Sequence, residues 1–562
     1  MFKVQDLIAV AIPPADPKSD WFTSANVGVD YLVRNSTSDE IILYSNVGQS
    51  IVHTVLAPLN NVTPPDGEAI QYTNLTAFDH WRLEHISGGG EPDRMYLASP
   101  TDSSDRKWLD GGQQLVFRRS FTDVDKGPPR TEISQPLVQA LDLYWLDEQS
   151  AYCRLNNDGD IEPIVSVRDL RAETGELGAV VVTIQAEQLH RYMAVTETAL
   201  VMKFDFTRFV PGSFSGWVRP EYGGVNQDDI FYHTGMQARA SFANGAIIVR
   251  PLLNKAVLIE RANREWSDSD KEYAIFKAHD WKNSRLAEVS CAPSALASYF
   301  DRESALPFQT TPAFFKAEVL HKYKSDPEKY RLEHRSIYCR GGWYLKSYDV
   351  NDEGQVHVYL YDLATLPYSE QLYWKSFNEW PKAGISKRAF QTDFEGDFST
   401  FPDPLADLKF EVAKLDKLQP DWWNPRGRSA AGALHYPVTT SPEEWASAVL
   451  ALDQFVVEGF VVKSLRNRLE SAGKSPDKQW GSLRLLQDCL ILCGLNETDA
   501  LGILEPLRRT HTLRTKVKGH LAESEKQAII KQARTENGSL AAHFRKLADE
   551  VQVSFDRITE LL

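Results

Sequence analysis

The stretch Ser441-Pro442-Glu443-Glu444-Trp445-Ala446-Ser447-Ala448-Val449-Leu450-Ala451-Leu452-Asp453-Gln454-Phe455-Val456 decides how this chain is divided. Ser441 can cap a helix, Pro442 fits the first helical position, and Glu444 completes a capping box. Trp445, Val449, Leu452, Val456 and Phe460 then recur at three- and four-residue spacing, continued by Leu465 and Leu469. That period predicts one amphipathic helix over residues 443–470. After Pro442 the only prolines are Pro476 and Pro506. Further helices are expected over Lys478–Cys493, from Asn496 onward through Leu507, and near Glu523–Arg534 and Ser539–Leu561. Residues 441–562 therefore read as an up-and-down helical bundle.

Upstream the texture differs. Residues 402–440 are rich in Pro, Asp, Arg and Gly, as in Pro402-Asp403-Pro404 and Asn424-Pro425-Arg426-Gly427-Arg428, and read as a linker. Residues 1–250 carry short apolar runs between turn residues. Ile41–Tyr44, Gln114–Phe117, Ala179–Ile184, Ala199–Phe206 and Ala246–Leu253 read as strands. Asn157-Asp158-Gly159-Asp160 reads as a hairpin turn, since the bidentate Glu of a calcium loop is missing. Residues 251–401 read as a mixed central domain with helices near Asp268–Lys277 and Ser294–Phe300. A hairpin is expected between Ile337–Val350 and Gln355–Tyr361, which would leave His357 on the strand's exposed side. The fold class is thus multidomain α+β, with β-rich front and centre and an all-α tail.

The bulk numbers bound the function. At 562 residues the chain needs several cores. With 42% hydrophobic and 25% charged residues it is an ordinary globular protein. Its cysteines, Cys153, Cys291, Cys339, Cys489 and Cys493, are few and scattered, which points to a reducing, cytoplasmic setting. Cys489 and Cys493 read as buried core thiols. No targeting segment or membrane span is expected. The net charge of −15 argues against a surface that coats DNA. It falls entirely in residues 1–440, with 45 basic and 60 acidic side chains, whereas residues 441–562 carry 17 of each.

Within the tail, Leu507-Arg508-Arg509-Thr510-His511-Thr512-Leu513-Arg514-Thr515-Lys516-Val517-Lys518-Gly519-His520 holds five basic side chains, two histidines and no acid. RNA cleavage through the ribose 2′-OH needs a base that works near neutral pH and a cation for the phosphate. Histidine and arginine suit those roles. Arg514 and His520, five residues between them, form a pattern similar to the R-x4–6-H motif of HEPN domains, and the resemblance covers residues 441–562. It implies a metal-independent endoribonuclease of the bacterial antiviral, abortive-infection or toxin type, which dimerises around a shared site and needs no cofactor. It also implies a phosphate-contacting Arg514 and a catalytic His520. Arg508, Arg509, His511, Lys516 and Lys518 would contact RNA. The position after the family's arginine is commonly Asn, Asp or His; here it is Thr515.

Two other readings compete. A non-catalytic adaptor would use the tail only to dimerise or to bind a nucleotide or nucleic acid. A metal enzyme would use Asp393, Glu395 and Asp397, which alternate with Phe394, Gly396 and Phe398 and could share one strand face. The aromatic run Tyr373–Trp380 could stack bases, although packing of a small core is the commoner use of such a run.

Overall fold

Continuous apolar runs suit strands covered on both faces, and the front of the chain is built on that plan. A computed structural model describes residues 2–16, 19–23, 26–62, 82–88, 90, 92–98, 112–121, 124, 126–210, 221–237, 240–266, 271–333, 335–397, 403–437, 441–518 and 523–562. It comprises two compact units, residues 1–154 with 161–271 and residues 155–160 with 272–562.

The first unit holds an 11-stranded sheet. Its order runs Glu221–Gln227, Ile230–Gln237, Ala240–Val249, Thr198–Phe209, Ser50–Pro58, Glu40–Val47, Val180–Gln185, Ile161–Asp169, Ala151–Leu155 and Tyr144–Leu146, and Gln113–Gln114 also pairs with Ser50–Pro58. Along Thr198–Phe209, Leu200, Met202, Phe204 and Phe206 enter the main core, while Ala199 and Val201 enter a smaller cluster on the opposite face. Helix Val27–Asn35 lies so close to the sheet that a Cβ on Gly28 would sit 2.4 Å from the Phe206 ring. The Asn157–Asp160 turn forms as expected. Gly159 has a positive φ of 76°, and the Asn156 side chain accepts from the Asp158 and Asp160 amides at 3.0 and 2.9 Å.

In the second unit, residues 272–397 form a mixed core. Strands Arg285–Ser290, Ile275–Asp280, Pro312–Phe315, Val356–Tyr359 and Asp349–Val350 follow one another across a sheet. Several expectations need correction here. Residues 275–280 are a strand rather than the end of a helix, because Phe276, Ala278 and Asp280 alternate into the core. The helix before them is Lys255–Trp266, Asp268 lies outside the described residues, and residues 293–295 make only a single 3-10 turn. The strand expected over Ile337–Val350 is three strands, interrupted at Gly341 and Ser347, whose φ values are 60° and 64°.

His357 is fully buried, not exposed, and its Nε2 accepts the Ser386 amide at 3.0 Å. The segment carrying Asp393 is helix Lys387–Asp393 rather than a strand, so no row of three carboxylates forms. Asp393 instead accepts from Arg335 at 3.0 and 2.5 Å and from the Tyr359 hydroxyl at 2.9 Å. Phe398 lies outside the described residues. Trp374, in the aromatic run, is fully buried and donates to the Tyr323 hydroxyl at 2.8 Å, which makes that part of the run core.

The bundle begins earlier than expected. The linker reading of residues 402–440 fails because helix Pro404–Leu418 supplies Leu405, Leu408, Val412 and Leu415 to the bundle core. Trp422, Trp423 and Leu434 join them. Ser441 caps helix Pro442–Val456 as expected, accepting the Glu443 and Glu444 amides at 3.2 and 3.5 Å. Glu444 also pairs with Lys324 of the mixed core at 2.6 Å. The single helix expected over residues 443–470 is broken, and a second begins at Val462. The cause is the segment Trp422–Asn424. The Asn424 amide donates to the Gly459 carbonyl at 2.8 Å, and the Val461 amide donates to the Trp422 carbonyl at 2.9 Å. The Trp423 ring occupies the space a Cβ on Gly459 would need, at 2.2 Å. Helices Ser482–Leu492, Glu497–Lys518, Glu523–Asn537 and Leu540–Leu561 complete the bundle. Cys489 is buried as expected, but Cys493, at the end of its helix, is exposed.

Two outcomes test this architecture. Trp445 is fully buried, so Trp445→Ala should cost about 3–5 kcal/mol in denaturant unfolding, and an unchanged midpoint would contradict its place in the core. The second concerns acid. Burial pushes the His357 imidazole down from 6.5 to about 4, with nearby Asp349 opposing, and pushes His435 down to about 3. The unfolded chain therefore binds more protons as pH falls from 6.5 through 4, and stability is lost across that window. The unfolding midpoint should drop between neutral pH and about 4. The drop should be shallower in His357→Gln, whose amide can still accept the Ser386 N–H; equal slopes would remove His357 as a cause.

Candidate active site

Helix Glu497–Lys518 carries the basic stretch, running well past Leu507, where the sequence pattern ends that helix. Asn496 starts it by accepting the Asp499 amide at 2.8 Å. Its buried stripe is Ala500, Leu504, Leu507, Thr510 and Val517, and it packs against helices Pro442–Val456, Ser482–Leu492 and Leu540–Leu561. Pro506 sits inside this helix and withholds one backbone donor; the Thr510 hydroxyl donates to its carbonyl at 2.8 Å.

The centre of the site is a carboxylate that the sequence reading did not select. Asp453 lies one turn beyond Val449 and two beyond Trp445, on their buried ridge, and its side chain is 0% exposed. A charge in that position needs cations. His511 Nδ1 stands 3.0 and 3.4 Å from the two carboxylate oxygens. Arg514 Nε stands 3.7 Å from Oδ2, and Arg514 Nη2 donates to Glu458 at 3.3 Å. Burial pushes the Asp453 carboxyl up from its ordinary value; His511 and Arg514 oppose that, and Glu458 adds to it. The legible signal was an acid on an apolar helical ridge, a place charges occupy only with partners.

Around this centre the basic side chains are held by the protein itself. Arg508 donates to the buried Gln487 oxygen at 2.7 Å, Arg509 pairs with Glu550, and Lys518 lies 3.5 Å from Glu443. Lys516 is exposed. The acid-free appearance of residues 507–520 is a property of the sequence alone, because acids from other helices meet the stretch in the fold. Thr515 donates back to the His511 carbonyl at 2.9 Å. His520, with Gly519, lies outside the described residues. The helix is regular through Lys518, and positions six apart on such a helix fall on different faces. His511 and Arg514, three apart, share one.

Chemically the arrangement offers an imidazole oriented by a carboxylate, an arginine on the same face, and a second acid, Glu458. Among the described residues no group of three His, Cys, Asp or Glu side chains could hold a metal ion, and no helix is long and apolar enough to cross a membrane. The chain matches no protein-family model, no curated protein and no solved structure.

Proposed function

We propose that the helical tail is a metal-independent endoribonuclease of the HEPN kind, and that the chain is a bacterial defence or toxin-type effector whose β-rich region governs the tail. Arg514 contacts the scissile phosphate, His520 moves the proton of the 2′-OH, and Arg508, Arg509, His511, Lys516 and Lys518 line the approach of RNA. Two copies share the site. The observation that supports this reading is the setting of Arg514. Its side chain is 34% exposed and its guanidinium is held by long contacts of 3.3 and 3.7 Å, which a bidentate phosphate can replace.

A second reading has an observation of its own. Arg508, Arg509 and Lys518 already have partners within the bundle, as a non-catalytic, dimerising adaptor would have. Helix Pro404–Leu418 and Trp422–Trp423 cover part of the apolar faces of the later helices within a single copy.

Activity separates the two. Cleavage of RNA should persist in a chelator and leave 2′,3′-cyclic phosphate ends, and DNA should not be cut. His520→Ala should abolish cleavage and relieve any growth arrest in bacteria while circular dichroism stays unchanged. RNA cleavage by His520→Ala equal to that of the natural chain would hand the tail to the adaptor reading. In sedimentation at micromolar concentration the active protein should run as a dimer or larger; a fully active monomer would contradict the shared site.

A further inference from the structure

The Asp453–His511 pair is placed to do more than hold a helix. His511 Nδ1 faces a wholly buried carboxylate at 3.0 Å, which fixes the proton on that nitrogen and the ring in one orientation. The other nitrogen, Nε2, points away from the carboxylate, on a side chain that is 47% exposed. Arg514 reaches the same carboxylate and lies on the same helix face. Surface histidines with purely structural roles do not need a buried carboxylate behind them, and burying one is costly. The juxtaposition of an aimed imidazole and an arginine is what transfer of a proton beside a phosphate requires.

We infer that His511 is the general acid of the cleavage reaction, protonating the departing 5′-oxygen, with Asp453 as its positioning residue. The inference rests on the endoribonuclease reading. In the step, the 2′-oxygen bonds to phosphorus as its proton passes to a base, assigned above to His520. The bond from phosphorus to the 5′-oxygen breaks, and that oxygen takes the Nε2 proton of His511. The products are a 2′,3′-cyclic phosphate and a free 5′-hydroxyl, and the cationic His511 is left neutral. Arg514 stays on the phosphate throughout. Asp453 stabilises the imidazolium before transfer and holds Nδ1–H after it.

A leaving group that needs no proton isolates this role. The full-length protein is assayed on an RNA oligonucleotide and on a uridine 3′-(4-nitrophenyl) phosphodiester, whose phenolate departs unaided. His511→Ala and His511→Gln should cut RNA at least ~100-fold more slowly yet cleave the aryl ester within about tenfold of the natural rate. The glutamine leaves Asp453 with a hydrogen-bond donor, so its fold should hold by circular dichroism. Asp453→Asn should show the same split to a smaller degree. His520→Ala should be slow on both substrates. If His511→Gln is slowed equally on both, or on neither, while the natural chain cleaves both, His511 is not the acid and the endoribonuclease reading stands. A natural chain that cleaves neither substrate overturns that reading, and the role of His511 with it.

Discussion

A carboxylate sealed inside a helical bundle must be answered by positive charge, and Asp453 sets that demand here. Its position on the Trp445–Val449 ridge requires cations from the facing helix, so the rotation of helix Glu497–Lys518 about its own axis is not free. Turning that helix by one residue would withdraw His511 and Arg514 from the carboxylate and leave a bare charge in the core, a loss of several kcal/mol. The apolar contacts hold the helices together; the charge selects among the ways they could be held. The exposure of His511 and the facing of Arg514 are consequences of that selection.

Much of this was legible from local pattern, where local pattern decides. Strands Glu40–Val47, Val180–Gln185, Thr198–Phe209 and Ala240–Val249 form, the last beginning and ending earlier than expected, because β-branched and aromatic runs bounded by turn residues have few other options. The Ser441 cap and helix Leu540–Leu561 follow from rules that act within a few residues. The readings that failed depended on partners distant in sequence. His357 is buried because Ser386 comes to meet it, and Asp393 lies in a helix paired to Arg335. The helical period across residues 443–470 is real in the sequence, yet the Trp422–Asn424 segment inserts between its halves. Glycine at 459 was the visible sign, since a side chain there would collide with the Trp423 ring.

The candidate site divides in the same way. Arg514 and His511 are visible as basic residues on a helix, but their meaning depends on Asp453 and Glu458, which sit fifty or more positions earlier. A count of charges along residues 507–520 finds a cationic patch; in the fold Arg508, Arg509, Arg514 and Lys518 each meet a partner from elsewhere in the bundle. Recognition of an anion at such a surface works by exchange of partners, a process governed by geometry more than by net charge.

The early start of the bundle has a consequence for how such a part can move between proteins during evolution. Trp422 and Trp423 lie in its core, and the backbone of residues 422–424 closes the break after Val456. A recombination event that took only the segment from Ser441 onward would carry the motif and leave behind the piece that shapes it. A segment that begins with Asp403, the cap of helix Pro404–Leu418, would carry that piece along with the motif.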